Sequence, residues 1–220
     1  MSVWIKICGN TSLADARMAV NAGADAVGFV FAASPRQVTV SEAAAIISHL
    51  PATVEKIGVF VEAGIEEIYS TVRASRLTGV QLHFEAAFEM PAKLRARLGP
   101  ALRILRVVHF DAAAAERAAE QIAAYSGDPN VDGVLVDSRT TKAVGGTGVA
   151  FDWAAARKTA FSEVSKLKLV AAGGLSAANV AEAIVALRPW GVDVVSGVES
   201  APGRKDAFKV REFIARARAA

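Results

Sequence analysis

Cysteine is almost absent from this chain. A single one, Cys8, stands among 220 residues, which excludes an intramolecular disulfide and suits a reducing, cytoplasmic setting. Long apolar runs are missing as well. Hydrophobic residues make up 53% of the sequence, yet no run reaches the roughly 18 residues that would suggest a membrane span, and Val27 to Ala33 falls far short. The opening Met1-Ser2-Val3-Trp4-Ile5-Lys6 has no basic segment followed by a long apolar one, so no signal peptide is expected. Neither sign of charge dominates: 25 basic and 22 acidic residues give a net charge of +3. With no long basic run and no aromatic–basic alternation, neither nucleic acid nor a membrane is an expected partner. Arg211, Arg216 and Arg218 read as the solvated face of a last helix.

What the chain does have is regular alternation. Short β-branched runs are separated by longer alanine-rich stretches with helical spacing. The expected strands are Val3–Ile7, Ala26–Phe31, Glu55–Val61, Gly79–Leu82, Arg103–His109, Gly133–Val136, Leu167–Ala171 and Gly191–Val195. Helices are expected between them, among them Leu13–Asn21, Ser41–Leu50, Ile65–Arg76 and Ala112–Tyr125, with one more after the last strand. Ser176 is the expected N-cap of the seventh helix. The strands are continuous apolar runs, as parallel strands covered by helices are. No linker or composition shift divides the chain. The expected fold is therefore α/β, a single (β/α)8 TIM barrel over residues 1–220. An open doubly wound sheet is the runner-up, weakened by the lack of Gly-x-Gly-x-x-Gly after the first strand.

In such a barrel, strand ends carry the chemistry. Cys8 ends the first strand, and Gly9 frees the backbone after it. The alternative for Cys8 is a small buried hydrophobe. Asp137 ends the sixth strand, and no helix begins directly after it, which argues against a capping role. The first and sixth strands are expected on opposite sides of the ring, so Cys8 and Asp137 could meet a central substrate from two faces as base and acid. A thiol is a base only as thiolate, which requires a nearby positive charge. Strand alternation is read as turning Lys6 away from the site, which leaves the activating group unassigned. Arg36, in Ser34-Pro35-Arg36, could clamp a substrate carboxylate. His83 ends the fourth strand and could line the mouth or satisfy a backbone carbonyl. Glycines gather late, in Gly145-Gly146-Thr147-Gly148, Gly173-Gly174 and Ser196-Gly197. Barrels bind phosphate with the loops after strands seven and eight, so Gly146, Thr147, Gly148, Gly173, Gly174, Ser196 and Gly197 are the phosphate-binding candidates. No His/Asp/Glu cluster has metal-ligand spacing in sequence, so no metal is expected.

These residues resemble a family. Lys6-Ile7-Cys8-Gly9, Gly23-Ala24-Asp25-Ala26-Val27-Gly28-Phe29, Ser34-Pro35-Arg36-Gln37-Val38, Val80-Gln81-Leu82-His83, Asp137-Ser138, Gly145-Gly146-Thr147-Gly148, Ala172-Gly173-Gly174-Leu175 and Ser196-Gly197-Val198-Glu199 are similar to the phosphoribosylanthranilate isomerase family of tryptophan biosynthesis. The glycine motifs are common to many phosphate-binding barrels, whereas Lys-Ile-Cys-Gly joined to Ser-Pro-Arg is far more specific. The resemblance implies a cofactor-free Amadori rearrangement of a phosphorylated sugar substrate. It implies that Cys8 is the general base, that Asp137 is a general acid holding its proton near neutral pH, and that Arg36 meets the anthranilate carboxylate. The implied protein is a cytoplasmic monomer or homodimer. Two departures stand out: Phe84 and Glu85 follow His83 where the family commonly has glycine, and Val195 precedes Ser196 where a second serine is common.

Three other functions are weighed. A bifunctional sugar-phosphate isomerase also acting in histidine biosynthesis would typically use two aspartates, and this chain has Cys8 at the first. Indole-glycerol-phosphate synthase shares the phosphate loops but uses a lysine apparatus with no clear match. A non-catalytic phosphate-binding barrel would have no need of Cys8, Asp137 and Arg36 together.

Overall fold

The computed structural model describes residues 2–83, 88–137, 153–161 and 167–220. Its strands are β1 (Trp4–Ile7), β2 (Ala26–Val30), β3 (Glu55–Phe60), β4 (Gly79–Leu82), β5 (Arg103–His109), β6 (Gly133–Asp137), β7 (Lys168–Ala172) and β8 (Gly191–Val194). Each runs parallel to its neighbours, and β1 pairs with β8, which closes the sheet into a barrel. The covering helices are α1 (Leu13–Asn21), α2 (Val40–Ile47), α3 (Ile65–Ser75), α4 (Met90–Leu98), α5 (Ala115–Ser126), α6 (Trp153–Lys158), α7 (Val180–Leu187) and α8 (Ala207–Ala219). No helix among the described residues is long and apolar enough to cross a membrane.

The expected (β/α)8 barrel is present, with differences at element ends. α2 starts at Val40 because Thr39 and Glu42 form a capping box. It stops at Ile47, after which the His49 and Leu50 amides turn back to Ile46 and Ile47. α7 starts at Val180 rather than at Ser176. Ser176 lies in the turn before it, where its backbone amide donates to Asn179 Oδ1 at 2.8 Å. A 3₁₀ turn over Ala112–Ala114 precedes α5. After β8 comes a hairpin that the sequence reading omitted, β9 (Glu199–Ala201) and β10 (Arg204–Lys205). The ring order also corrects the relation of the first and sixth strands. β6 stands three steps from β1 by way of β7 and β8, and the diametric partner of β1 is β5.

Period-2 alternation divides the apolar residues into two compartments. Ile5, Ile7, Val27, Phe29, Val80, Leu82, Val134 and Val136 face outward into the layer beneath the helices. Inside the ring a separate cluster holds Trp4, Ala26, Ile57, Leu105, Leu135, Val170 and Ala172. At the strand starts Trp4 stacks on Trp190 with ring centroids 5.0 Å apart. Lys168 lies over the other ring system at 4.8 Å, with Arg103 at 5.5 Å, so this end of the barrel is plugged. A buried aliphatic or aromatic side chain is worth about 1.5–3 kcal/mol. The outer layer holds most of the buried apolar side chains and therefore supplies most of the stability, which leaves the opposite end of the interior available for polar groups.

Inward glycines make room where strands crowd. A Cβ on Gly133 would stand 2.5 Å from the Lys168 carbonyl oxygen, a backbone atom of β7 that cannot step aside. Gly133→Ala is expected to destabilise the protein by about 1–3 kcal/mol through overpacking. Urea unfolding measures this as a lower midpoint at unchanged slope.

Candidate active site

A cavity of about 890 Å³, open solvent at its mouth included, lies over the C-terminal strand ends. Cys8, Arg36, His83, Asp137, Gly173, Gly174 and Ser196 all line it. Six strands or their following loops thus bring the sequence candidates to one space. Gly197 is not on that wall. Its Cα packs so closely on the loop after β7 that a Cβ would meet the Leu175 carbonyl oxygen at 1.9 Å, so it joins two loops backbone to backbone. Gly146, Thr147 and Gly148 lie outside the described residues, as do Phe84 and Glu85. Val195 lines the cavity.

Cys8 continues β1, its amide donating to the Val194 carbonyl at 2.9 Å. Its thiol is buried and needs a glycine beside it. A Cβ on Gly28 would stand 2.5 Å from Cys8 Sγ. Burial pushes the thiol pKa above its ordinary value, while the Lys6 ammonium and, more weakly, Lys205 pull it down.

Lys6 corrects the sequence reading. Residues two apart on a strand share a face, so Lys6 points into the barrel with Cys8 rather than away from it. It is fully buried. Its Nζ donates to Asp193 Oδ1 at 2.8 Å and to Gln81 Oε1 at 2.9 Å. Burial opposes the Lys6 charge, but Asp193 and then Cys8 outweigh it and hold the ammonium pKa above its usual value. Asp193 and Gln81 line the cavity from β8 and β4.

Asp137 is buried at the end of β6, beside His109 in the β5 register. His83 and His109 face each other at 5.1 Å between ring centroids. One ligating atom from each of His83, His109 and Asp137 falls within 4.8 Å of the other two. These three could hold a metal ion, a grouping that sequence spacing does not reveal because it spans three strands.

Arg36 already has a carboxylate partner. Its Nε and Nη2 donate to Glu199 at 2.9 and 2.6 Å. Lys205, buried on β10, donates to the same Glu199 at 3.1 Å. Burial works against the Glu199 charge, but Arg36 and Lys205 outweigh it and lower its pKa, whereas burial pulls the Lys205 pKa down. Gly9 lets Arg36 pass, since a Cβ there would meet Arg36 Cδ at 2.8 Å. The loop after β7 is fixed by Asn179, whose Nδ2 donates to the Gly174 carbonyl at 3.1 Å. Gly173 and Gly174 both take positive φ, 83° and 64°. Lys6, Gln81, Asp193, His109, Glu199 and Lys205 escaped the sequence reading as site residues. Correct use of alternation from Cys8 would have found Lys6.

A closed (β/α)8 barrel with ionisable side chains gathered at its C-terminal mouth is the form of a barrel enzyme. The family model described as N-(5'phosphoribosyl)anthranilate (PRA) isomerase matches residues 5–216. The N-(5'-phosphoribosyl)anthranilate isomerase of Pelobacter propionicus is 46% identical over 211 residues, 96% of this chain and 93% of the relative. The phosphoribosyl anthranilate isomerase structure from Thermotoga maritima superposes with a TM-score of 0.86 at 36% identity, covering 99% of this chain and 100% of that one. A further isomerase structure, in complex with reduced 1-(o-carboxyphenylamino)-1-deoxyribulose 5-phosphate, gives 0.80 at 34% identity, with 99% and 100% covered. The chain belongs to the N-(5'-phosphoribosyl)anthranilate isomerase family.

The Gly28 contact yields a test of the thiol's placement. Gly28→Ala is expected to displace Cys8 Sγ and lower turnover about 10²-fold, the scale of an ångström-sized misplacement. Circular dichroism should show the barrel intact, and unchanged turnover in the folded variant would remove the thiol from the reaction.

Proposed function

We propose that this protein isomerises N-(5-phosphoribosyl)anthranilate to 1-(2-carboxyphenylamino)-1-deoxyribulose 5-phosphate in tryptophan biosynthesis, with Asp137 as general acid and Cys8 as general base. The observation that carries the residue roles is that both side chains line one cavity within a family that performs this isomerisation.

Asp137 gives its proton to the furanose ring oxygen. The C1–O bond breaks, and the nitrogen lone pair forms the C1–N double bond of a protonated Schiff base. The Cys8 thiolate then takes the proton from C2. The C2–H electron pair becomes a C1–C2 double bond, and the C–N pair returns to nitrogen. The enolamine tautomerises to the ketone by losing its C2 hydroxyl proton and gaining a proton at C1. General acid and base steps of this kind contribute about 10²–10⁴-fold each.

Recognition is assigned to the flanking groups. Arg36, which lines the cavity and is oriented by its pair with Glu199, is assigned the substrate carboxylate. Gly173, Gly174 and Ser196 line the side of the cavity where backbone N–H groups would receive the phosphate. Gly197 contributes by holding the two loops together. Gly146, Thr147 and Gly148 complete the set on sequence grounds. His83 lines the acid side of the cavity. The enzyme is assigned to the cytoplasm, as a monomer or homodimer.

Loss of phosphoribosylanthranilate fluorescence on adding the protein tests the activity. Cys8→Ala and Asp137→Asn are each expected to lower kcat by about 10²–10⁴-fold while substrate still binds. Arg36→Met should instead raise KM by about ten- to a hundredfold, as expected for losing a hydrogen bond to a charged group. Near-normal turnover in either of the first two variants would overturn the assigned roles.

A further inference from the structure

We propose that Lys6 is the positioning residue for the base: its buried ammonium, anchored by Asp193 and Gln81 and sharing an inner face with Cys8, stabilises the thiolate that takes the substrate proton. The inference rests on the reading of Cys8 as that base.

Geometry carries the argument. Lys6 and Cys8 are two residues apart on β1, so both side chains enter the barrel. The Lys6 amine cannot swing out to solvent, because it is fully enclosed and held at 2.8 and 2.9 Å by groups from β8 and β4. An ammonium needs three acceptors. Asp193 and Gln81 supply two, and the Cys8 side chain stands next along the same inner face of β1. Asp193 and Gln81 account for the lysine being held inside the ring. The placement under a thiol does more, because a positive charge fixed beside sulfur favours its ionised form.

The remaining charges around the thiol can be named element by element. Asp193 on β8 opposes ionisation, while Lys205 on β10 assists it. Arg36, after β2, and Glu199, on β9, flank Lys205 and pair with each other. Asp137 and His83 stand on the same cavity wall further round the ring. Of the charged groups that act on the sulfur, Lys6 and Lys205 are positive and Asp193 negative. One thiolate balances that set.

Cys8 is the only cysteine in the chain, so thiolate absorbance near 240 nm and the rate of iodoacetamide alkylation report on it alone. Lys6→Met is expected to lower the thiolate fraction about tenfold at pH values below the thiol's midpoint, the effect of one unit in pKa, and to slow alkylation about three- to fourfold, since the sulfur that does ionise is more nucleophilic. Its kcat should fall by the same factor with little change in KM. Asp193→Asn should move alkylation the other way and speed it. A merely structural ion pair predicts no such opposition. If Lys6→Met does not fold, the Lys6→Met/Asp193→Asn double variant removes the unpaired carboxylate, and it should still alkylate more slowly than Asp193→Asn alone. Equal rates in folded proteins with and without Lys6, or shifts of the same sign in both single variants, would overturn the proposal. The alkylation readout does not depend on catalysis, so a failure of Cys8 as base leaves the alkylation rates as stated and appears in the Cys8→Ala assay.

Discussion

The Lys6–Asp193 ion pair sits inside a closed ring of strands, 2.8 Å between charged atoms, and it constrains everything above it. Two charges taken from water cost several kcal/mol each and are tolerated only with good geometry and further hydrogen bonds. Here Gln81 supplies one of those bonds. The pair ties β1 to β8 across their own register and reaches β4 through Gln81. A polar layer of this kind also decides where an apolar core must end and a reactive surface can begin.

The barrel interior is consequently zoned along its axis. Trp4, Ala26, Ile57, Leu105 and Val170 form the apolar zone toward the strand starts. Lys6, Gln81 and Asp193 form the middle. Cys8, His83, His109 and Asp137 stand at the strand ends. Along β1 the three zones follow one another at two-residue steps, Trp4, Lys6 and Cys8, as the side-chain period requires. The apolar end excludes water from below, so charges in the middle act through a medium of low polarisability, where they are stronger than in water. The glycines belong to this scheme. Gly28 clears the sulfur, and Gly197 allows the loops after β7 and β8 to touch.

Much of this was legible in the sequence, because the local signals agreed with the global fold. Continuous apolar strands alternating with helical stretches gave the barrel and eight strand positions. Cys8, Arg36, His83 and Asp137 were found from their places at strand ends or in the loops beyond. Long-range pairing was not legible. Glu199 is 163 residues from Arg36, and no local pattern announces that they meet. Asp193 and Gln81 read as ordinary members of apolar strands until the ring is closed. His109 and His83 meet only because β4 and β5 are neighbours. Lys6 is a different case: alternation from Cys8 places it on the same inner face, and only its charge made that placement unexpected in a barrel interior. The hairpin after β8 was missed because its strands are three and two residues long, shorter than any periodicity can register.

With Cys8 as the proposed base, the opposition between burial and Lys6 has a chemical use. A carboxylate in that place would ionise readily beside Lys6 but would be a weak base toward a carbon-bound proton. A thiol raised by burial is a stronger base once ionised, since nucleophilicity and basicity grow with pKa. Burial alone would leave too little thiolate to act. Lys6, and more weakly Lys205, return part of that population without solvating the sulfur. Asp193 limits the correction, because it takes a share of the Lys6 charge. The carboxylate that makes the buried lysine tolerable therefore also limits how far the thiol is acidified, and on the proposed reading one ion pair serves both the stability of the ring and the strength of the base at its mouth.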